Sequence, residues 1–207
     1  MKLYFVRHGE TTYNANNIFQ PPTSELSEEG QRQAEFLAKR FMSIHIDAIF
    51  SSDYTRAVQT AQIINRTLKR EVIYNDLLRE LKRPSAVLEK SGADADVMEI
   101  KRQIGENFHD PQWHHSDEEN FFDVKKRAEA FLEIIQQRPE EHVLVVTHGI
   151  FIRFAVFLFV LQDLFTPDLF IHLRDSFHLK NTGITLCERN KQGKWELITW
   201  NDHAHLG

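Results

Sequence analysis

The chain has 207 residues, 42% hydrophobic and 27% charged, which predicts a water-soluble globular protein with a substantial core. The formal net charge of −5 argues against nucleic acid or an anionic membrane as partners, so an anion site must gather its cations locally. The single cysteine, Cys187, excludes an internal disulfide and favours a reducing, cytoplasmic location.

Strand-like and helix-like segments alternate along the chain, which is typical of α/β proteins with a largely parallel sheet. Apolar runs predict strands over residues 2–6, 47–51, 72–74, 143–147, 183–188 and 195–200. Helical spacing of apolar residues predicts helices from a Ser27 cap to Phe41, and over residues 54–68, 122–136 and 149–161.

Two apolar segments invite a different interpretation, which we reject. The opening run reaches Arg7 too soon for a signal peptide. The segment 149–161 is interrupted by Arg153 and is too short to cross a bilayer. We therefore expect a cytoplasmic protein with no membrane partner.

Residues 79–122 differ in composition from the rest, being polar and aromatic. We predict that about residues 81–121 form a cap-like insertion over the sheet, within a single domain of residues 1–207. This segment contains His109, His114 and His115, but no further spaced cysteine or histidine supports a metal site there.

The first predicted strand ends in Arg7-His8-Gly9, which places an imidazole beside a guanidinium where glycine lets the backbone turn sharply. The predicted strand 143–147 ends in a second such turn, His148-Gly149. A neutral imidazole can attack phosphorus, and an adjacent arginine can neutralise phosphoryl oxygens. Two strand-end His-Gly turns suggest one site built from two halves.

Two further segments follow predicted strands. Arg56 falls in the first turn of a helix, where backbone N–H groups also face outward, and Glu80 follows the strand 72–74. Ligands of open α/β sheets bind at the carboxyl ends of the strands. We therefore expect one edge to carry Arg7, His8, Arg56, Glu80 and His148.

These side-chain types suit phosphoryl transfer. One histidine would attack and form a phosphohistidine, while two arginines and a second histidine hold the equatorial oxygens. A carboxylic acid would protonate the departing alcohol and then deprotonate water. With this much charge available, we expect no metal and no cofactor.

The motifs Arg7 to Thr11, Ser52 to Ala61, His148-Gly149 and Asn181 to Gly183 occur in an order that closely resembles the histidine phosphatase superfamily. That superfamily includes cofactor-dependent phosphoglycerate mutases. The resemblance implies a three-layer α/β/α sandwich with a mixed, mainly parallel sheet. It also implies that His8 is the phosphorylated nucleophile, that Arg7, Arg56, His148 and Asn14 form the phosphate pocket, and that Glu80 is the acid/base.

Two departures from that family favour a phosphatase over a mutase. Gln20 is followed by Pro21, which has no N–H to offer a ligand, where the family commonly has glycine. Glu80 is followed by Leu81, Lys82 and Arg83 rather than by the arginine and Tyr-Gly pair of the mutases.

Some assignments stay open. Glu10, Asp76 and Glu89 are rivals of Glu80 for the acid/base role. Asn14 could support the loop, and Gln20 could contact either substrate or loop. Lys82 and Arg83 could recognise a second anionic group, although we favour a surface position.

We therefore predict a phosphatase acting on a small-molecule phosphomonoester, as a monomer or homodimer. His8 must be neutral to attack, and Glu80 must be protonated first, so an acidic optimum is expected. The predicted substrate-binding residues are Arg7, Asn14, Gln20, Arg56, His148 and Gly149. A phosphoglycerate mutase or a non-catalytic phospholigand-binding protein remain the alternatives.

Overall fold

Six strands form a single sheet in the computed structural model, which describes residues 1–207. The strands are β1 (Lys2–Arg7), β2 (Ala48–Ser51), β3 (Val72–Tyr74), β4 (His142–Thr147), β5 (Ile184–Arg189) and β6 (Trp195–Asp202). Their order across the sheet is β3-β2-β4-β1-β5-β6. The first four run parallel, whereas β5 is antiparallel to β1 and β6 is antiparallel to β5.

Seven α-helices surround the sheet. They are α1 (Thr12–Ala15), α2 (Glu28–Phe41), α3 (Thr55–Leu68), α4 (Ala95–Glu106), α5 (Phe121–Gln136), α6 (Gly149–Leu161) and α7 (Pro167–Arg174). Helices α2 and α3 pack on one face of the sheet, and α5, α6 and α7 pack on the other. The predicted three-layer α/β/α architecture with a mixed, mainly parallel sheet is confirmed.

Side-chain alternation along β1 explains why both faces of the sheet are covered. Leu3 and Phe5 belong to the core beneath α5 and α6, whereas Tyr4 and Val6 belong to the core beneath α2 and α3. Successive residues of a strand point to opposite faces, so a strand that is apolar at every position needs a helical layer on each side.

Helix α6 is apolar on nearly all sides because it lies inside the larger of the two cores. Nine of its 13 residues are buried, including Phe151, Phe154 and Phe157. None of the helices combines the length and apolar character needed to cross a membrane. Cys187 is also buried in this core, and burial raises the pKa of its thiol to about 12. The thiol therefore stays protonated.

The elements that the sequence patterns did not predict are α1, α4 and α7. Helix α4 buries only Val97, so its sequence carries little apolar periodicity. Helix α7 has a recognisable start, because Thr166 caps it and Pro167 occupies its first turn. That signal was available in the sequence and would have predicted the helix.

Candidate active site

The two His-Gly turns meet because their strands are neighbours that end at the same level. Arg7 at the end of β1 is paired with Thr147 at the end of β4, and the backbone N–H of His8 donates to Thr147 O at 2.9 Å. The imidazole rings of His8 and His148 consequently lie side by side, with 5.2 Å between their centroids. The parallel pairing of β1 and β4 thus unites the two halves of the site.

His8 is held as a neutral imidazole with one defined tautomer. Its Nδ1 lies 2.7 Å from Gly9 O, and because a carbonyl oxygen only accepts, Nδ1 carries the proton. The lone pair is therefore on Nε2, which accepts from Arg56 Nε at 3.3 Å. Burial, together with the positive charges of Arg56 and Arg7, lowers the pKa of His8 well below its usual value.

Gly9 has a different purpose from the one that the sequence suggested. Its φ is not positive, so no special backbone turn requires glycine there. A Cβ at this position would instead lie 2.5 Å from Gly30 O in the first turns of α2. The glycine is needed for close packing of the His8 loop against that helix.

The loop backbone around His8 is fixed from two other sides. The N–H of Gly9 donates to Thr60 Oγ1 of α3 at 3.0 Å. The side-chain amide of Asn181 donates to His8 O at 2.8 Å. Thr60 and Asn181, which are far apart in the sequence, thus both hold the loop in place. Neither was predicted as a site residue.

Two arginines, the partly buried Arg7 and the buried Arg56, supply positive charge beside His8. Arg56 is the second residue of α3 and is almost fully buried, which lowers the pKa of its guanidinium to about 10. Its Nη1 donates to Pro21 O at 3.2 Å. The Nη1 of Arg7 donates to Leu179 O at 2.6 Å. Both side chains are therefore anchored through carbonyl oxygens, and neither charge is neutralised by a direct ion pair.

His148 is the N-cap residue of α6, but its side chain does not cap that helix. Its Nε2 lies 2.9 Å from Ser52 Oγ, at the end of β2, and its Nδ1 is buried without a hydrogen-bond partner. Burial, followed by the charge of Arg56, lowers the pKa of His148 well below its usual value. A buried polar atom without a partner is costly, so Nδ1 is suited to a ligand.

Ser52 is a residue of the site that the sequence analysis missed. The N–H of Tyr54 donates to Ser52 Oγ at 3.3 Å, which leaves the hydroxyl proton available to His148 Nε2. In that arrangement His148 carries its proton on Nδ1, and the fully buried residue lies outside the lining of the cavity above His8. The signal in the sequence was the position of Ser52 directly after a predicted strand.

Glu80 occupies the position that His148 leaves free at the start of α6. Its carboxylate accepts from the backbone N–H groups of Ile150 at 3.2 Å and Phe151 at 3.3 Å. The negative charge of Glu80 also raises the pKa of four nearby arginines against the lowering effect of burial. These are Arg7, Arg56, Arg83 and Arg153.

The rival carboxylates lie elsewhere. Glu10 accepts from Ser27 Oγ at 3.0 Å, and Glu89 accepts from the hydroxyl of Tyr13 at 2.7 Å. Neither of them lines the cavity above His8, and neither does Asp76. Asp53 does line it, but this carboxylate is paired with Arg79, which lowers the pKa of Asp53. Glu80 is thus the cavity carboxylate without a direct ion pair.

The remaining predicted binding residues differ in how they relate to the cavity. Gln20 lines it and accepts from Thr11 Oγ1 at 2.9 Å. Asn14 lies outside its lining, where its Oδ1 accepts from the N–H of Thr11 at 2.6 Å and its Nδ2 donates to Asn181 Oδ1 at 3.0 Å. Gly149 also lies outside the lining, at the first position of α6.

The cavity above His8 has a volume of about 700 Å³ and gathers positive charge in a chain of negative net charge. Its charged lining residues are Arg7, Asp53, Arg56, Arg79, Glu80, Lys82 and Arg83. Since Asp53 pairs with Arg79, the remaining cations outnumber the single carboxylate of Glu80. The cavity is therefore suited to an anionic ligand.

No group of three or more His, Cys, Asp and Glu side chains is arranged to hold a metal ion. His114 lies 2.7 Å from Asp123, and His109 lies 3.5 Å from Asp168. These two histidines of the predicted insertion therefore face different carboxylates on different helices.

Comparisons with known proteins agree with this arrangement. The family model of the histidine phosphatase superfamily (branch 1) matches residues 3–203. A probable phosphatase from Schizosaccharomyces pombe is 30% identical over 100% of this chain and 95% of its own length. A probable phosphoglycerate mutase, GpmB, from Escherichia coli is 34% identical over 72% of this chain and 70% of its own length.

Among solved structures, a mutant phosphoserine phosphatase from Entamoeba histolytica in complex with phosphoserine is similar throughout. It superimposes with a TM-score of 0.79 and 25% sequence identity, covering 100% of this chain and 99% of that chain.

Proposed function

This chain belongs to branch 1 of the histidine phosphatase superfamily and is a phosphatase of that superfamily, and we propose that it acts through a phosphohistidine on His8. The substrate would be a small phosphomonoester, bound with its phosphoryl group above His8. The complex of the Entamoeba relative with phosphoserine, itself a phosphomonoester, supports this substrate class.

The observation that carries this proposal is the state of His8. Its Nδ1 proton is committed to Gly9 O, and its Nε2 lone pair lies beside Arg56 at the floor of a cationic cavity. A nucleophile that must attack an anion benefits from a neutral form, a fixed orientation and nearby positive charge. His8 has all three.

In the first step, the lone pair of His8 Nε2 attacks phosphorus and the ester P–O bond breaks. Glu80 gives its proton to the departing oxygen, which leaves as a neutral alcohol, and Glu80 becomes a carboxylate. The imidazole becomes phosphorylated on Nε2 and keeps its Nδ1 proton, now on a cationic ring. The carbonyl of Gly9 stabilises that ring by accepting from Nδ1.

Arg7, Arg56 and His148 would hold the three equatorial oxygens while charge redistributes on them. The guanidinium groups are buried and carbonyl-anchored, so little reorganisation is needed when the transition state forms. His148 would donate from Nδ1, which satisfies the buried atom that has no partner in the protein.

In the second step, a water molecule attacks phosphorus while Glu80 takes one of its protons. The P–N bond breaks, the electron pair returns to His8 Nε2, and inorganic phosphate leaves. Both steps use the same groups with their proton roles reversed. Every proton therefore has a donor and an acceptor on this chain or on the reactants.

The test is release of phosphate from an aryl phosphate in EDTA by the wild type, by H8A and by a control variant, R102Q. Arg102 lies on exposed α4 and is paired with Glu99, outside the cavity. We expect metal-independent turnover that H8A abolishes and R102Q leaves unchanged. Full turnover by H8A would exclude His8 as the nucleophile.

The mutase alternative has one observation in its favour, the similarity to GpmB. Against it, Pro21 has no N–H to offer a ligand, and its carbonyl oxygen already accepts a hydrogen bond from Arg56. Assaying interconversion of the phosphoglycerates beside phosphate release distinguishes the two activities. Tight phosphate binding without either reaction would instead indicate the phospholigand-binding alternative.

A further inference from the structure

A second cavity, of about 600 Å³, adjoins the one above His8. The two share five lining residues, and this shared wall consists of Phe19, Leu81, Lys82, Arg83 and Ile150. The proposed reaction uses only the first cavity. The second is therefore available to a part of the substrate that does not react.

The shared wall lies beside the proposed acid. Leu81 follows Glu80 directly, and the backbone N–H of Ile150 donates to the Glu80 carboxylate at 3.2 Å. The acid must reach the ester oxygen, so the alcohol part of a substrate extends from phosphorus toward Glu80. Beyond Glu80, the shared wall leads that group into the second cavity.

The far walls of the second cavity include a patch of apolar and aromatic side chains among polar ones. They include Ile104, Phe108, Trp113, Phe154 and Phe170. Phe108 stacks on Phe170 with 6.2 Å between the ring centroids, so this surface is formed jointly by the predicted insertion and by α7. Apolar side chains of this kind favour an alcohol part that contains a ring or an aliphatic chain.

Arg83 lines both cavities, and its guanidinium has no direct partner in the protein. Its guanidinium lies over the ring of Phe19, 5.5 Å from the centroid, and makes neither a hydrogen bond nor an ion pair with the protein. Glu119, which also lines the second cavity, is already paired with Arg127 at 2.7 Å.

Two other cations of the second cavity already have partners. Lys82 pairs with Asp117 at 3.2 Å. Arg153 donates to the carbonyls of Phe177 and Gly149. A partly buried guanidinium without a direct ion pair is suited to binding one planar anion.

We infer that the preferred substrate is a phosphomonoester whose apolar alcohol part passes Glu80 into the second cavity and carries a carboxylate that pairs with Arg83. This inference rests on the proposed function, since it takes the ester oxygen to lie beside Glu80. It differs from a small amino-acid phosphate, which would leave the apolar walls uncovered.

The first experiment compares aryl phosphates that carry either a carboxylate or an uncharged carboxamide on the ring, in phenyl and biphenyl lengths. A charge-assisted pair gives an expected preference of about tenfold or more in kcat/KM for the carboxylate. The R83Q variant should reduce this ratio to near one, and the R102Q control should keep it.

The second experiment fills the apolar cavity with I104W and compares the biphenyl carboxylate with phosphoserine. We expect the ratio of their kcat/KM values to fall at least about tenfold, because only the long substrate needs that space. Each comparison is a ratio of two kcat/KM values measured on the same protein. A reduced fraction of folded protein lowers both values equally and leaves the ratio unchanged.

The outcomes separate the two proposals. If phosphate release depends on His8 but the wild type shows no carboxylate preference, or R83Q retains it, the inference about Arg83 is wrong. An unchanged ratio in I104W excludes the second cavity as the site of the alcohol part. If no aryl phosphate is hydrolysed in a His8-dependent way, the proposed function itself fails.

Discussion

The floor of the candidate site and its wall are built in opposite ways. The floor consists of strand ends and helix starts in which His8, Arg56 and His148 are buried and most of their polar atoms are engaged. The wall that continues into the second cavity comes largely from residues 81–121, where α4 buries one residue and its charges form exposed pairs. The proposed reaction thus depends on the buried core, and the proposed specificity on a segment with few buried residues.

The same contrast between floor and wall is seen at two glycines. At the floor, Gly9 permits a backbone-to-backbone contact with Gly30 that no other residue would allow. In the wall, Gly105 has open space around the position of a Cβ. A substitution there would add a side chain without displacing anything.

The largest effect that we expect within this comparison is that of R56Q. Removing a buried guanidinium from the floor should lower kcat by ~10²–10³-fold, since it removes a preorganised donor to the transferring phosphoryl group. The matched change R102Q on α4, outside both cavities, should leave kcat unaltered. Steady-state kinetics on one aryl phosphate measure both, and equal losses would mean that the distinction between floor and wall is wrong.

The pH dependence of stability should also distinguish floor from wall. Burial lowers the pKa values of His8 and His148 well below 6.5, so below pH 6.5 the unfolded chain binds more protons than the folded protein. The free energy of unfolding should therefore fall as the pH drops, by at most about 1.4 kcal/mol per pH unit for each histidine. Urea titrations between pH 7 and 5 measure this slope, and H148N should flatten it.

His114, within residues 81–121, should affect the pH dependence of stability with the opposite sign. Its hydrogen bond to Asp123 raises its pKa, so its contribution to stability is present below pH 6.5 and is lost as the pH rises through the folded-state pKa. Replacing it in H114N should therefore steepen the loss of stability toward acid. A flatter slope in H114N would contradict this assignment.

A smaller effect is expected from S52A, because Ser52 contacts His148 and does not line the cavity above His8. Loss of the hydroxyl should lower kcat about tenfold, with little change in the fold. Nitrogen NMR shifts of His148 provide the decisive readout, since they should report loss of the Nδ1–H tautomer. An unchanged tautomer would mean that Ser52 only fills space.

The smallest effect should come from the exposed pairs of α4. Ion pairs of this kind lie in water and contribute little, so R102Q should leave Tm unchanged within error. Thermal unfolding followed by circular dichroism is sufficient. A clear decrease would show that α4 is held to the domain more tightly than its single buried residue implies.

Every predicted strand is present because the sheet lies between two helical layers, and a continuous apolar run such as Leu3 to Val6 has few other solutions. Helices α2, α3, α5 and α6 form those layers, and the apolar residues that they bury against the sheet predicted them. Helix α4 was not predicted, because a helix that buries only one residue needs no apolar stripe and its sequence therefore shows none.

Within the site, the residues at strand ends could be predicted because parallel strands deliver their following residues to one edge. The orientation of His148 by Ser52 could not, because it depends on β2 lying beside β4 in the sheet. Nor could the free charge of Arg83 be predicted, since Lys82 beside it has a partner and Arg83 has none. Whether a surface charge is paired depends on tertiary contacts.

The contact between Glu80 and the start of α6 has a further consequence. The N–H groups of Ile150 and Phe151 point at the same carboxyl that is proposed to exchange a proton with each substrate molecule. Those two amides weaken or strengthen their hydrogen bonds as that carboxyl gains or loses its proton. We therefore expect hydrogen exchange of these two amides, in the first turn of α6, to change with the protonation state of Glu80.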